Sequence, residues 1–264
     1  MSDPYKIALC QMKPAKEKQK NFELAAKAVE EAVRCEADVV CLPEIWNAPY
    51  DLKLLSEYAE REDGPSNTLL SELARKNGIY LIGGSTPEKA DEHKIYNSSF
   101  VFGPNGDIIA RHRKVHLFDV DIERGLRFME SDFFAAGEGL TVFDTKFGKM
   151  GLAICFDVRF PGMFRDMNRQ GAHIVFLPAA FNITTGSAHW DILLKSRALD
   201  NQMYVAACGP ARDVTASFVT WSHSCVATPW GEYCASADAR ETIIYADIDV
   251  DYMNKIRMEL PIGN

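Results

Sequence analysis

Ala37-Asp-Val-Val-Cys-Leu-Pro43 returns 135 residues later as Ala172-His-Ile-Val-Phe-Leu-Pro178. Each copy is a short apolar run stopped by proline and preceded by a helix-like stretch, so each reads as a buried strand. Two further pairs follow in the same order. Tyr80-Leu-Ile-Gly-Gly84 is matched by Tyr204-Val-Ala-Ala-Cys-Gly209, 124 residues on, and Phe102-Gly-Pro-Asn-Gly-Asp107 by Ala227-Thr-Pro-Trp-Gly-Glu232, 125 residues on. Three matches in one order at similar offsets predict two similar βα halves related by a pseudo-two-fold axis.

The stretches between the repeats fit that plan. Lys6–Met12 reads as a strand, and Asn67–Lys76 as a helix. Asn21–Arg34 carries Phe22, Ala25, Ala26, Val29, Ala32 and Val33 at helical spacing, which predicts an amphipathic helix. Asn97–Phe102 and Asp107–Arg113 flank Pro104-Asn105-Gly106, a hairpin signal. Met150–Ile154 is an apolar run that delivers Cys155, then Asp157, Arg159 and Pro161, the pattern of a buried strand, a turn and a new helix. The expected fold class is α/β, with two mixed sheets, each carrying helices on its outer face, packed as a four-layer α-β-β-α sandwich with internal pseudo-two-fold symmetry. No linker or low-complexity segment separates the halves, which predicts a single domain over residues 1–264.

Bulk composition narrows the function classes. The chain has 264 residues, 47% of them hydrophobic, enough for a sizeable core. A formal charge of −8 without a basic run argues against nucleic-acid binding. It leaves room for a small anionic substrate, because a local pocket can oppose the global sign. No apolar stretch has membrane-spanning length, and the N-terminal M-S-D-P-Y-K-I-A-L-C lacks the basic-then-apolar pattern of a secretory signal. The seven cysteines are odd in number and scattered, with Cys10, Cys41, Cys155 and Cys225 inside apolar runs. That pattern predicts reduced thiols in the cytoplasm. With no CxxC pair and no His/Cys cluster at zinc spacing, no metal is expected, and no cofactor.

Taken alone, Cys155 reads as one more buried small side chain. Two other residues change its weight. Glu44 directly follows the proline that stops a buried strand, the strand end where α/β proteins place ligands, and C-L-P-E-I-W-N-A-P-Y wraps it in apolar groups. Lys114 ends Asp107-Ile-Ile-Ala-Arg-His-Arg-Lys114. Strand alternation sends Arg111 and Arg113 to one face and His112 and Lys114 to the other. Thiol, carboxylate and ammonium make a complete hydrolytic set. The thiolate attacks a carbonyl, the carboxylate moves the protons, and the ammonium, with the backbone N–H of Phe156, holds the oxyanion. His112 and His116 read as packing histidines.

These segments resemble the signature blocks of the nitrilase/amidase superfamily, and most of all its omega-amidase branch. The resemblance spans nearly the whole chain and is carried by L-P-E-I-W-N-A-P-Y (42–50), H-R-K-V-H-L-F-D (112–119), G-L-A-I-C-F-D-V-R-F-P (151–161), F-N-I-T-T-G-S-A-H-W (181–190) and A-T-P-W-G-E (227–232). It implies the α-β-β-α sandwich, a homodimer or higher homo-oligomer, and Glu44 as base, Lys114 as oxyanion stabiliser and Cys155 as nucleophile. It also implies a second glutamate, matched by Glu130 in F-M-E-S, orienting Lys114. The implied reaction is hydrolysis of the omega-amide of alpha-ketoglutaramate or alpha-ketosuccinamate to a 2-oxo acid and ammonia. Arg159, four residues past Cys155, is within reach of a substrate carboxylate, or of a structural ion pair with Asp157 or Asp166. Tyr50, Phe181, Thr184 and Thr185 are expected pocket walls from their places in the blocks. Deaminated-glutathione amidases share the R-F-P and T-T-G-x-A-H-W features, and N-carbamoyl amino acid hydrolases are a third reading. A silent scaffold fits poorly with an intact Glu/Lys/Cys set. The chain departs from the pattern at Leu260-Pro-Ile-Gly-Asn264, where relatives usually continue.

Overall fold

The computed structural model describes residues 4–123 and 126–262, so the first three residues of the N-terminal reading and the last two of the C-terminal one lie outside the described residues. In the first half the chain forms β1 (Tyr5–Gln11), α1 (Lys18–Arg34), β2 (Val39–Cys41), α2 (Leu55–Tyr58), α3 (Pro65–Asn77), β3 (Tyr80–Ile82), β4 (Thr86–Lys89), β5 (Ile95–Phe102) and β6 (Ile108–Arg113). A small hairpin of β7 (Asp119–Asp121) and β8 (Arg127–Met129) follows. The second half forms β9 (Thr141–Thr145), β10 (Gly148–Leu152), α4 (Pro161–Arg169), β11 (Ile174–Pro178), α5 (Ile183–Asn201), β12 (Tyr204–Cys208), β13 (Cys225–Ala227) and β14 (Tyr233–Ser236). The chain then runs through β15 (Thr242–Ile248) and α6 (Val250–Glu259).

The two halves build sheets of one design. In the first, β1, β2 and β3 run parallel, and β5 then β6 continue antiparallel from β3. In the second, β10, β11 and β12 run parallel, and β13 then β14 continue antiparallel from β12. On the other flank, β9 pairs antiparallel with β10, and β15 pairs antiparallel with β1 from Tyr5–Ile248 to Gln11–Thr242. The last strand thus completes the first half's sheet. All three sequence repeats fall on equivalent places: β2 with β11, β3 with β12, and the β5–β6 turn with the β13–β14 turn.

Strand alternation sorts the core into layers. Ile7 and Leu9 of β1 and Val39 and Cys41 of β2 meet Met150, Leu152, Ile174 and Phe176 between the sheets. The intervening Ala8, Cys10, Val40 and Leu42 pack under α1 and α3. On the far side, Gly151 gives α4 room: a Cβ there would lie 3.0 Å from Met167 Sδ. Trp190, Leu194 and Ala198 of α5 are buried in the same cluster as the second sheet. The order is helix, sheet, sheet, helix.

The expected elements form, with shifted ends. α1 starts before Asn21 because its polar first turn carries no apolar period. α3 gains Pro65 at its first position and ends at Gly78, which takes the left-handed conformation (φ 65°). The apolar run toward Cys155 leaves the sheet at Leu152, and Cys155–Arg159 forms a 3₁₀ turn before α4. β4, the β7–β8 hairpin and α2 had no sequence signal.

Candidate active site

Three strand ends converge. β2 ends two residues before Pro43-Glu44, β6 leads directly into Lys114, and β10 ends at Leu152, just before the Cys155 turn. β6 runs in the same direction as β2, so Glu44 and Lys114 lie at one edge of the first sheet. Arg111 and Arg113 face outward to Glu88, at 3.4 and 2.6 Å, while His112 and Lys114 turn inward and are buried.

Lys114 sits between two carboxylates. Its Nζ lies 3.0 Å from Glu44 Oε1 and 2.8 Å from Glu130 Oε2, and all three side chains are 0% exposed. Burial works against the ammonium, but Glu130 and Glu44 outweigh it and hold its pKa well above the ordinary lysine value. The lysine is a permanent cation. Donors from several segments absorb the surplus negative charge. Phe118 N–H donates to Glu130 Oε2 at 2.6 Å, and Tyr50 Oη–H donates to Glu130 Oε1 at 2.5 Å. Asn97 Nδ2–H donates to Glu44 Oε1 at 2.8 Å, and Ala180 N–H donates to Glu44 Oε2 at 2.6 Å.

Cys155 takes a left-handed backbone conformation, φ 44°, rare for a residue with a Cβ. Ile45, next to Glu44, does the same at φ 50°. Such strain persists only where the surroundings over-determine it, and it concentrates at functional sites. Burial pushes the Cys155 thiol up, the Glu44 carboxylate pushes it further, and Lys114 pulls the other way. The net direction is upward, so the resting group is a neutral thiol that needs a base. Cys155 and Phe156 open the 3₁₀ turn, and their N–H groups have no partner inside it.

A small cavity lies against the thiol. Cys155, Tyr50, Phe156, Arg159, Phe181 and Thr185 line it. Thr184 does not. Asn182 caps α5 by accepting the Thr184 N–H at 2.9 Å, and the helical turn then points Thr184 to solvent and Thr185 inward. Phe118, Asn182 and Ala180 complete the wall.

The two readings of Arg159 can be compared directly. Asp166 pairs with Arg169, and Asp157 is occupied by His112, His116 and the Ile154 N–H. Arg159 faces no carboxylate among the described residues. Its Nη2–H donates to His189 Nδ1 at 3.1 Å, and its guanidinium carbon lies 5.3 and 5.4 Å from the Phe156 and Phe181 ring centroids. Burial lowers its pKa from the ordinary arginine value, as expected for a half-buried cation without a counter-ion. Contacts that sequence reasoning missed are the Asn97 and Ala180 donors and the Asp157 cluster. Among the described residues, no group of His, Cys, Asp or Glu is arranged to hold a metal ion, and no helix is long and apolar enough to cross a membrane. All seven cysteines are free.

A family profile described as carbon-nitrogen hydrolase matches residues 6–258. The chain is 45% identical to the omega-amidase NIT2 of Xenopus tropicalis over 258 residues, covering 98% of this chain and 93% of that protein. It is 44% identical to the human omega-amidase NIT2, with the same coverages. Among solved structures, Saccharomyces cerevisiae Nit3, a member of branch 10 of the nitrilase superfamily, superposes with a TM-score of 0.91 at 38% identity, covering 100% of this chain and 97% of that one. A glutamine variant of the amidase from Nesterenkonia sp. AN1, carrying acrylamide added to its active-site cysteine, superposes with a TM-score of 0.81 at 25% identity, covering 97% of this chain and 98% of that one.

Proposed function

The chain belongs to the carbon-nitrogen hydrolase family and is an amide-hydrolysing enzyme, and from that premise we propose that it releases ammonia from the omega-amide of small 2-oxo dicarboxylic acid monoamides such as alpha-ketoglutaramate and alpha-ketosuccinamate. One observation carries this reading. A single small cavity has Cys155 in one wall and, four residues on, Arg159, a cation with no carboxylate partner among the described residues. A substrate with an amide at one end and a carboxylate at the other fits both.

In the proposed mechanism Glu44 takes the proton of the neutral Cys155 thiol as sulfur attacks the amide carbon. The Lys114 ammonium and the Phe156 N–H stabilise the oxyanion, acting where charge develops. Collapse breaks the C–N bond, Glu44 returns the proton to the nitrogen, and ammonia leaves a thioester on Cys155. Glu44 then takes a proton from water as hydroxide adds to the thioester, collapse releases the acid and expels the Cys155 thiolate, and Glu44 returns its proton to the sulfur. Glu130 keeps Lys114 in place and charged. The site joins Glu44 and Lys114 of the first half to Cys155 and Ala180 of the second, which supports one domain.

Replacing Cys155 by Ala is expected to abolish ammonia release from alpha-ketoglutaramate with an unchanged circular dichroism spectrum. Unchanged turnover would remove the covalent mechanism. Wild-type kcat/KM should be far higher for alpha-ketoglutaramate than for deaminated glutathione, and the reverse ranking would move the assignment to the latter substrate.

A further inference from the structure

Asp157 is fully buried and all four of its acceptor positions are filled. Oδ1 accepts the His116 N–H at 3.0 Å and the His116 Nδ1–H at 2.8 Å. Oδ2 accepts the Ile154 N–H at 3.0 Å and the His112 Nε2–H at 2.9 Å. Nδ1 of His112 lies 3.0 Å from the Thr141 hydroxyl. These donors come from β6, from the segment after Lys114, and from the residue before Cys155. We propose that Asp157, gripped by His112 and His116, is the positioning residue that fixes the strained Cys155 turn against the Lys114 segment and so sets the line of sulfur attack.

The inference rests on Cys155 being the nucleophile, and it goes past that reading to say what aims it. Asp157 lies outside the cavity wall and has no acceptor position left for substrate, so it acts through its neighbours. Burial opposes its charge, but the bonds from His112 and His116 outweigh it and keep the carboxyl well below the ordinary aspartate range. The far end of the turn is held by the same histidine: the His116 ring stacks on Phe160, centroids 3.4 Å apart and 11° from parallel. The clamp thus holds Ile154 before the turn and Phe160 after it. A left-handed non-glycine residue persists only where its surroundings over-determine it, and this set of bonds supplies that over-determination.

The test separates hydrogen bonding from packing. An Asn side chain puts an N–H where His Nδ1 stands, and a Gln puts one where Nε2 stands. His116→Asn and His112→Gln keep the side-chain bonds to Asp157, whereas His116→Leu and His112→Leu remove them and leave the backbone N–H of residue 116 in place. Both leucine variants are expected to lower kcat by about 100-fold with KM within about twofold, the signature of a misplaced reacting group. Iodoacetamide alkylation of Cys155, followed by mass spectrometry, should slow in parallel, and the Asn and Gln variants should recover most of both rates. Folded leucine variants with wild-type kcat, or Asn and Gln variants no better than leucine, would overturn the clamp. If the buried His112→Leu chain does not fold, the His116 pair decides, since that ring is partly exposed. Cys155→Ala serves as the parallel control. Should it keep turnover, the nucleophile assignment fails, and the alkylation rates still report on the clamp alone.

Discussion

Glu44 Oε1 takes the Lys114 ammonium at 3.0 Å in a place where neither side chain meets solvent. Glu130 closes on the same nitrogen from its own segment, so one cation faces two carboxylates. The arrangement is stable because Asn97, Ala180, Phe118 and Tyr50 each give a hydrogen to one of those carboxylates. A buried ion group of this kind stands or falls together.

Lys114→Met removes the charge at similar size and leaves two buried carboxylates without their cation. We expect a loss of about 3–5 kcal/mol of stability, the usual cost of breaking a buried pair from one side. Urea unfolding would measure it. The double variant with Glu130→Gln should recover part of the loss, and a single-variant loss under about 1 kcal/mol would mean that the carboxylates are solvated.

Arg159→Met should separate recognition from chemistry. A hydrogen bond between charged partners is worth about 1.5–3 kcal/mol, so kcat/KM for alpha-ketoglutaramate should fall roughly 10- to 100-fold, mainly through KM. Butyramide, which has no carboxylate, should be turned over at the wild-type rate. Equal losses on the two substrates would show that Arg159 shapes the pocket and does not read the anion.

Acid should weaken the contact between the sheets. Burial lowers the His173 pKa to about 4, and Tyr5 Oη lies 2.6 Å from its Nε2 across the sheets. A histidine in an unfolded chain titrates near 6.5, so below that pH the unfolded state binds more protons and stability falls with pH. The contribution is whole above about 6.5 and is lost by about pH 4, some 3 kcal/mol in all. Urea midpoints at pH 7 and pH 4.5 would reveal it. His173→Gln, which keeps a polar group beside Tyr5, should flatten the slope, and an unchanged slope would assign the acid sensitivity to another group.

The repeats made the sheets legible because each half spells two of its parallel strands, β2 and β3 in the first and β11 and β12 in the second, as short apolar runs ending in proline or glycine. Glu44, Lys114 and Cys155 were legible for the same reason, each following a strand end. Glu130 was legible only through resemblance, since F-M-E-S has no apolar wrap of its own and the chain buries it with Phe118 and Tyr50. Ala180 and Glu44 are 136 residues apart, and a backbone donor leaves no mark in the side-chain sequence. Thr184 was misplaced because the phase of α5 is set by the Asn182 cap. Asp157 offered itself as a partner for Arg159, and only the structure shows that the two histidines, read as packing groups, had already filled it.

The pairing of β15 with β1 has a consequence for how the chain is made. A ribosome adding 5–20 residues per second delivers β15 on the order of tens of seconds after β1. Through that interval the first sheet has an unpaired flank beside β1, with Ile7 and Leu9 awaiting the second sheet on its inner face. The early half must wait, open-edged, until Thr242–Ile248 has been made, and a nascent chain stalled before Thr242 would present that edge to its neighbours.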